Sequence, residues 1–212
     1  MLELLASPLG LSGLLKVSDE VLTNHVEHLD VLARLSQLER HDLSEFRGTL
    51  PGADGLFPDP RLVEFVTDPA REAVLIRSDG RLVGFALVRP HETGGRSLAE
   101  FFVVRAARGR GVGRAAALAL LRGRPGRWGI AFQEENVRAA RIWRHLVPEA
   151  AVGDVVEEVR LARDGVHADT WLWFQVADAV VQQEWDAAAA TFDDEPDHGL
   201  RDPRRAPPGR TC

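Results

Sequence analysis

The sequence predicts an α/β (α+β) domain built on one mixed, mostly antiparallel sheet of six to seven strands with helices on both faces. Three observations predict it. Two apolar, β-branched runs at 72–77 and 82–89 flank the turn Ser78-Asp79-Gly80-Arg81, which marks a β-hairpin. A third strand, over 97–105, passes through a turn rich in Arg and Gly into a run of strong helix formers, Ala115 to Leu121. A short strand at 128–133 follows, and a strand, helix and strand joined so closely make a right-handed parallel crossover beside the hairpin meander.

Bulk properties narrow the classes. At 212 residues the chain suits one domain with extensions. Its only cysteine is Cys212, which excludes an internal disulfide and leaves no basis for thiol catalysis or a Cys-based metal site. A reducing cytoplasm fits that composition best. The opening Met1 to Leu15 is apolar but carries Glu3 in place of a basic start and is broken by Pro and Gly. It therefore reads neither as a cleaved signal nor as a membrane span.

Taken in order, residues 1–17 are an N-terminal extension or a first strand, and the pattern does not decide between them. Ser18-Asp19-Glu20 resembles a helix start, and Val21, Leu22, Val26, Leu29, Ala33 and Leu38 extend one apolar face to about Arg40. His25 and His28 lie three apart on that stretch, but nothing at ligand spacing completes a metal set, so no metal is expected. A loop rich in Gly, Pro and Asp at 48–60 and a short helix near 61–66 precede the hairpin. After the crossover, Asn136 opens a helix with Val137, Ala140, Ile142, Trp143 and Leu146 on its buried face, and Pro148 is expected to end it. A last strand pair covers 153–161 and 169–176. From 177 to 212 the chain becomes a tail with no apolar period, expected to be mostly disordered.

The turn carries the chemistry. Between Phe101 and Gln133 there is no Asp or Glu, while Arg105, Arg108, Arg110, Arg114, Arg122, Arg124 and Arg127 fall in the same interval of a chain with net charge -6. Glycines admit a phosphate to the backbone, and a helix starting there aims free N–H groups and a positive dipole end at it. Arg108-Gly109-Arg110-Gly111-Val112-Gly113-Arg114 therefore reads as a pyrophosphate cradle. Gly111-x-Gly113-x-x-Ala116, with Glu134 downstream, also fits a dinucleotide fingerprint. That fingerprint needs its first glycine at the strand end and further βαβ units, and this chain has neither. Nucleic acid is not expected as a partner, because no aromatics are interleaved with the arginines at the turn and the whole chain is acidic.

From about Ser18 to Val176 the element order resembles the GCN5-related N-acetyltransferase (GNAT) family. Arg108-Gly109-Arg110-Gly111-Val112-Gly113 is similar to that family's acyl-CoA signature, Arg/Gln-x-x-Gly-x-Gly/Ala. Phe101-Phe102-Val103 matches its apolar strand end. Asn136, Ala139-Ala140 and Trp143 match a downstream Asn, small residues and an aromatic. The resemblance implies the GNAT fold over 18–176, acetyl-CoA as co-substrate and transfer to an unidentified amine by direct attack in a ternary complex. It gives Phe101 to Val103 the pantetheine contacts, Arg108 to Arg114 the pyrophosphate, and Asn136 and Trp143 places near the thioester.

Glu100, a carboxylate flanked by apolar residues on that strand, is the first choice of base. His91, His145, Asp42 and Glu45 are weaker ones. Where the family often has tyrosine this chain has Trp143, and it contains no tyrosine at all. An indole donates a hydrogen bond but does not titrate usefully. The alternative reading is therefore a weak or inactive acyl-CoA-binding or protein-interaction module. A homodimer is compatible with the sequence.

Overall fold

Among the described residues seven strands form one sheet, and in chain order they are β1 (Val17–Leu22), β2 (Glu72–Ser78), β3 (Arg81–Pro90), β4 (Arg96–Val103), β5 (Gly126–Phe132), β6 (Val152–Leu161) and β7 (Ala168–Val176). Across the sheet they run β1-β2-β3-β4-β5-β7-β6. Every neighbouring pair is antiparallel except β4 with β5, which is the parallel crossover expected from the sequence. The computed structural model describes residues 17–22, 29–161, 165 and 167–178. His25, His28, residues 1–16 and the tail from 179 lie outside the described residues.

The N-terminal region differs from the expectation. Val17 to Leu22 is a strand paired residue by residue with β2, from Val17 opposite Ser78 to Leu22 opposite Ala73. Helix α1 begins only at Leu29 and runs to Arg47. The cap-like Ser18-Asp19 signal is overridden because β2 offers an open edge, and pairing along it satisfies the backbone groups of β1 that face β2. The apolar face of α1 is also phased differently. Leu32, Leu35, Ser36 and Glu39 point inward, whereas Leu38 is exposed.

Two layers of helix sandwich the sheet. On one face α3 (Val112–Arg122) and α4 (Val137–Ala150) pack with Leu98, Trp128, Ile130, Leu172 and Phe174. On the other, α1 and the short α2 (Glu64–Thr67) pack over Ala73, Leu75, Phe85, Leu87 and Phe102. Helix α4 runs through Pro148 to Ala150 instead of stopping there. A proline near the C-terminus deletes one intrahelical bond, and the Ala151 N–H still reaches Val147 O at 2.9 Å.

One irregularity of β4 positions the site. Leu87 of β3 stands opposite Glu100, but the next residue, Val88, stands opposite Leu98, so Ala99 is an extra residue. In a regular strand Leu98 and Glu100 would share a face. The bulge puts Leu98 in the α3/α4 core and turns Glu100 towards α1. Pairing with β5 also ends at Leu98. Beyond that point β4 keeps β3 on one side and, among the described residues, has no strand on the other.

Candidate functional site

The parting of β4 from β5 opens a cleft of about 660 Å³. One wall is the end of β4 and the start of α3, the second is α4, and the third is α1. Because the Val104 N–H donates to Val83 O, alternation along the strand turns the backbone groups of Phe101 and Val103 towards the gap. The Val103 carbonyl accepts from Arg108 Nε at 2.6 Å.

The turn after β4 is shaped by its glycines. Gly109 and Gly111 take φ of +79° and +81°, a region costly to residues with a Cβ. Gly111 is the N-cap of α3, and the first intrahelical bond is Ala115 N–H to Gly111 O at 2.9 Å. The N–H groups of Val112, Gly113 and Arg114 precede that bond and carry the positive end of the helix dipole. Gly111 and Gly113 line the cleft.

The arginines of the turn are less free than their sequence suggests. Arg105 and Arg108 both bind Asp42 of α1, with Nη2 to carboxylate distances of 2.7 and 2.6 Å, and Arg108 also lies over the Phe102 ring. Burial pushes Asp42 up, but the hydrogen bonds from Arg105 and Arg108 outweigh it and hold the carboxyl below the usual aspartate range. Arg114 pairs with Glu149 of α4, and Arg124 with Glu72 of β2 at 2.6 Å. Carboxylates absent from the 101–133 stretch are thus supplied by other elements. Arg124 is one of the most enclosed of these arginines, its side chain 10% exposed.

Of the residues singled out by sequence, Phe101, Phe102, Val103, Arg108, Gly109, Gly111, Gly113, Arg114, Asn136 and Trp143 share this cleft. Arg110 and Val112 line a separate hollow with Ser78 and Val83. Asn136 caps α4, its side-chain oxygen accepting from the Ala139 N–H at 3.1 Å. Trp143 is 7% exposed and meets the Phe101 ring edge-on at 5.4 Å. Of the weaker base candidates, Asp42 is held by arginines and Glu45 is exposed on the rim, while His91 packs against Trp171 and Trp173 and His145 against Arg141 O.

Glu100 stands behind the cleft wall, ion-paired with Arg40, which also reaches Asp59 at 3.2 Å. Asp59 in turn accepts from the Ser36 hydroxyl. Beside Glu100, and on the cleft wall, stands Glu39, 5% exposed. One oxygen of Glu39 and one of Glu100 are buried without a hydrogen-bond partner among the described residues. Burial raises Glu39 well above the ordinary glutamate range and the neighbouring Glu100 raises it further, with Arg40 opposing. Burial likewise raises Glu100, while Arg40 and a hydrogen bond with Glu39 pull it back. Sequence reasoning missed Glu39, Arg40 and Asp59. A signal existed in Ser36 and Glu39, two polar residues on the stripe Leu32, Leu35, Ser36, Glu39, Leu43, Phe46, but it is visible only with the correct helix phase.

Residues 33–146 match the model of the acetyltransferase (GNAT) family. Solved structures share the fold. An acetyltransferase from Thermus thermophilus is 19% identical, covers 76% of this chain and 97% of its own, and superposes with a TM-score of 0.53. The ribosomal-protein-S18-alanine N-acetyltransferase from Escherichia coli gives 13% identity, 76% and 96% coverage and a TM-score of 0.50. An aminoglycoside acetyltransferase in complex with coenzyme A gives 13%, 82% and 99%, and 0.54. No curated protein matches the chain.

Proposed function

The chain belongs to the acetyltransferase (GNAT) family, and from that premise we propose that it is an acyl-CoA-dependent N-acyltransferase moving an acetyl group from acetyl-CoA to the amine of a small molecule. The observation that carries the reading is the gap where β4 leaves β5 after Leu98, set beside the uncapped N-terminus of α3. The gap suits an extended pantetheine arm, bound by the backbone of Phe101 and Val103. The N–H groups of Val112 to Arg114 suit a pyrophosphate. Asn136 and Trp143 border the same cleft at the level of Phe101.

In this reading the amine attacks the thioester directly, with no acyl-enzyme. The Val103 N–H stabilises the developing oxyanion. Glu100 belongs to the base, since burial keeps its proton affinity above that of an ordinary carboxylate. The departing thiolate gains its proton without a tyrosine, because the chain has none. That same lack supports a second reading, an acyl-CoA-binding module without turnover.

Thermal stabilisation by acetyl-CoA, followed by thiol release with a polyamine, an aminoglycoside and a peptide with an N-terminal alanine, separates the two. Stabilisation with turnover supports the transferase. Stabilisation without turnover supports the binding module, and no stabilisation by any acyl-CoA overturns both.

A further inference from the structure

Glu39 and Glu100 come from distant parts of the chain, one on α1 and one on the bulge of β4, and the fold brings their carboxyl groups together. Each keeps one buried oxygen without a partner among the described residues. Two facing carboxylates normally repel, and the usual remedy is a cation for each. Here Arg40 is bound to Glu100 and Asp59, and Glu39 has no ion pair among the described residues. A proton held between the two carboxyls satisfies both unpartnered oxygens and removes the repulsion. Glu39 is also the member on the cleft wall, whereas Glu100 is not among the residues lining the cleft.

We propose that Glu39 and Glu100 work as a single carboxylate pair that receives the acceptor as its ammonium cation and takes its proton at Glu39. This rests on the transferase reading and adds to it the residue that touches the amine and the charge of the acceptor. The proton that the pair holds at rest first leaves to solvent; the N–H bond of the ammonium then breaks with its electron pair left on nitrogen, and that proton binds Glu39 and is shared with Glu100. The freed nitrogen forms the new C–N bond as the C–S bond breaks. The second proton lost from nitrogen balances the thiolate, and the pair returns its own proton to solvent before the next turnover.

The groups facing the pair are Arg40 from α1, Asp59 and Arg61 from the loop before α2, and each carboxylate for the other. Arg40 and Asp59 compensate one another in part, so burial first and the facing carboxyl second set the proton affinity of Glu39. The acid limb of kcat/KM then lies above the range of an isolated glutamate.

The test uses the full chain with acetyl-CoA and the panel amine turned over fastest. Glu39→Gln is expected to lower kcat by roughly 100-fold, as loss of a general base does, to move the acid limb to lower pH, and to leave acetyl-CoA affinity within about threefold, the donor wall being untouched. Glu39→Asp should recover part of the rate. An infrared titration without ligand provides a second readout. At a pH where ordinary glutamates are already ionised, a carboxylic C=O band should persist in the wild type and vanish in Glu39→Gln, whereas in Glu100→Gln it should titrate away at lower pH than in the wild type, because burial still raises Glu39 once its neighbour's charge is gone. An unchanged pH profile in Glu39→Gln, or a band that survives in it, overturns the proposal. If acetyl-CoA binds but no amine is turned over, the proton-transfer role falls together with the transferase reading, while the infrared band still decides whether the pair exists.

Discussion

Glu39 and Asp42 stand three residues apart on α1 and border the same cleft, yet their surroundings drive them in opposite directions. Asp42 faces the turn after β4 and is gripped by Arg105 and Arg108, which keep it ionised. Glu39 faces Glu100 in a buried setting and is driven towards its protonated form. One helix therefore serves two walls. In the proposed reading, it supplies towards the donor side a fixed negative charge that braces Arg105 and Arg108, and towards the acceptor side a carboxyl whose proton is exchangeable. The identity of the side chain matters less here than what the sheet presents to it.

The sharpest way to break that division is at the donor wall. Gly111→Val puts a β-branched residue at φ +81°, where the left-handed conformation costs about 1–2 kcal/mol. The strand-to-helix turn must rearrange and its N–H groups lose their common aim. Acetyl-CoA affinity is expected to fall by roughly 100-fold, about 2.7 kcal/mol, measured by calorimetry on a variant whose circular dichroism shows it folded. The infrared carboxyl band should remain, since Glu39 and Glu100 are untouched. Retained affinity would show that the turn is not the anion site.

A smaller effect is expected from the acceptor wall. Arg40→Ala leaves Glu100 without its cation, and truncating one partner of a buried ion pair costs about 3–5 kcal/mol. Arg40 keeps 22% side-chain exposure, so about 2 kcal/mol is expected in chemical denaturation. Glu100→Gln in the same chain should recover part of that loss, because it removes the stranded charge. Acetyl-CoA affinity should stay near that of the wild type. Strictly additive losses in the double variant would mean that the Arg40–Glu100 pair carries no coupling.

The two walls also differed in how far they could be read from sequence. The proposed donor wall is one continuous stretch, Phe101 to Arg114, whose proposed role rests on glycine conformations and backbone direction, and both are encoded locally. The acceptor wall joins Glu39, Arg40, Asp59 and Glu100 from three separate elements, and no local pattern announces that meeting. The error in α1 shows why. Reading a helix from Ser18 chose an apolar stripe through Ala33 and Leu38, and that stripe conceals that Ser36 and Glu39 point inward. Glu100 was picked out because it interrupts an apolar strand, but only the extra residue at Ala99 decides which face it meets. The arginine excess was visible as charge, while its partners Asp42, Glu149 and Glu72 come from three other elements. Long-range pairing decided each point that the sequence left open or misled on.

The smallest expected effect is also the most direct comparison of the two carboxyls. Glu39 is raised in the folded state above the ordinary glutamate value of about 4.3. Its contribution to stability is complete below that value and is lost as pH climbs through the raised one. Asp42 is depressed below the ordinary aspartate value of about 3.9, so its contribution is present above that value and disappears as pH falls through the depressed one. Glu39→Gln should therefore flatten the decline of stability towards alkaline pH, by an amount on the order of 1 kcal/mol, since one pKa unit corresponds to about 1.4 kcal/mol. Asp42→Asn should instead flatten the acid side, and by less, because solvent screens its ion pair with the exposed Arg105. Urea denaturation from acid to mildly alkaline pH reads both. If the two variants run parallel to the wild type at both ends, neither carboxyl holds the opposing charge state on which the division between the walls depends.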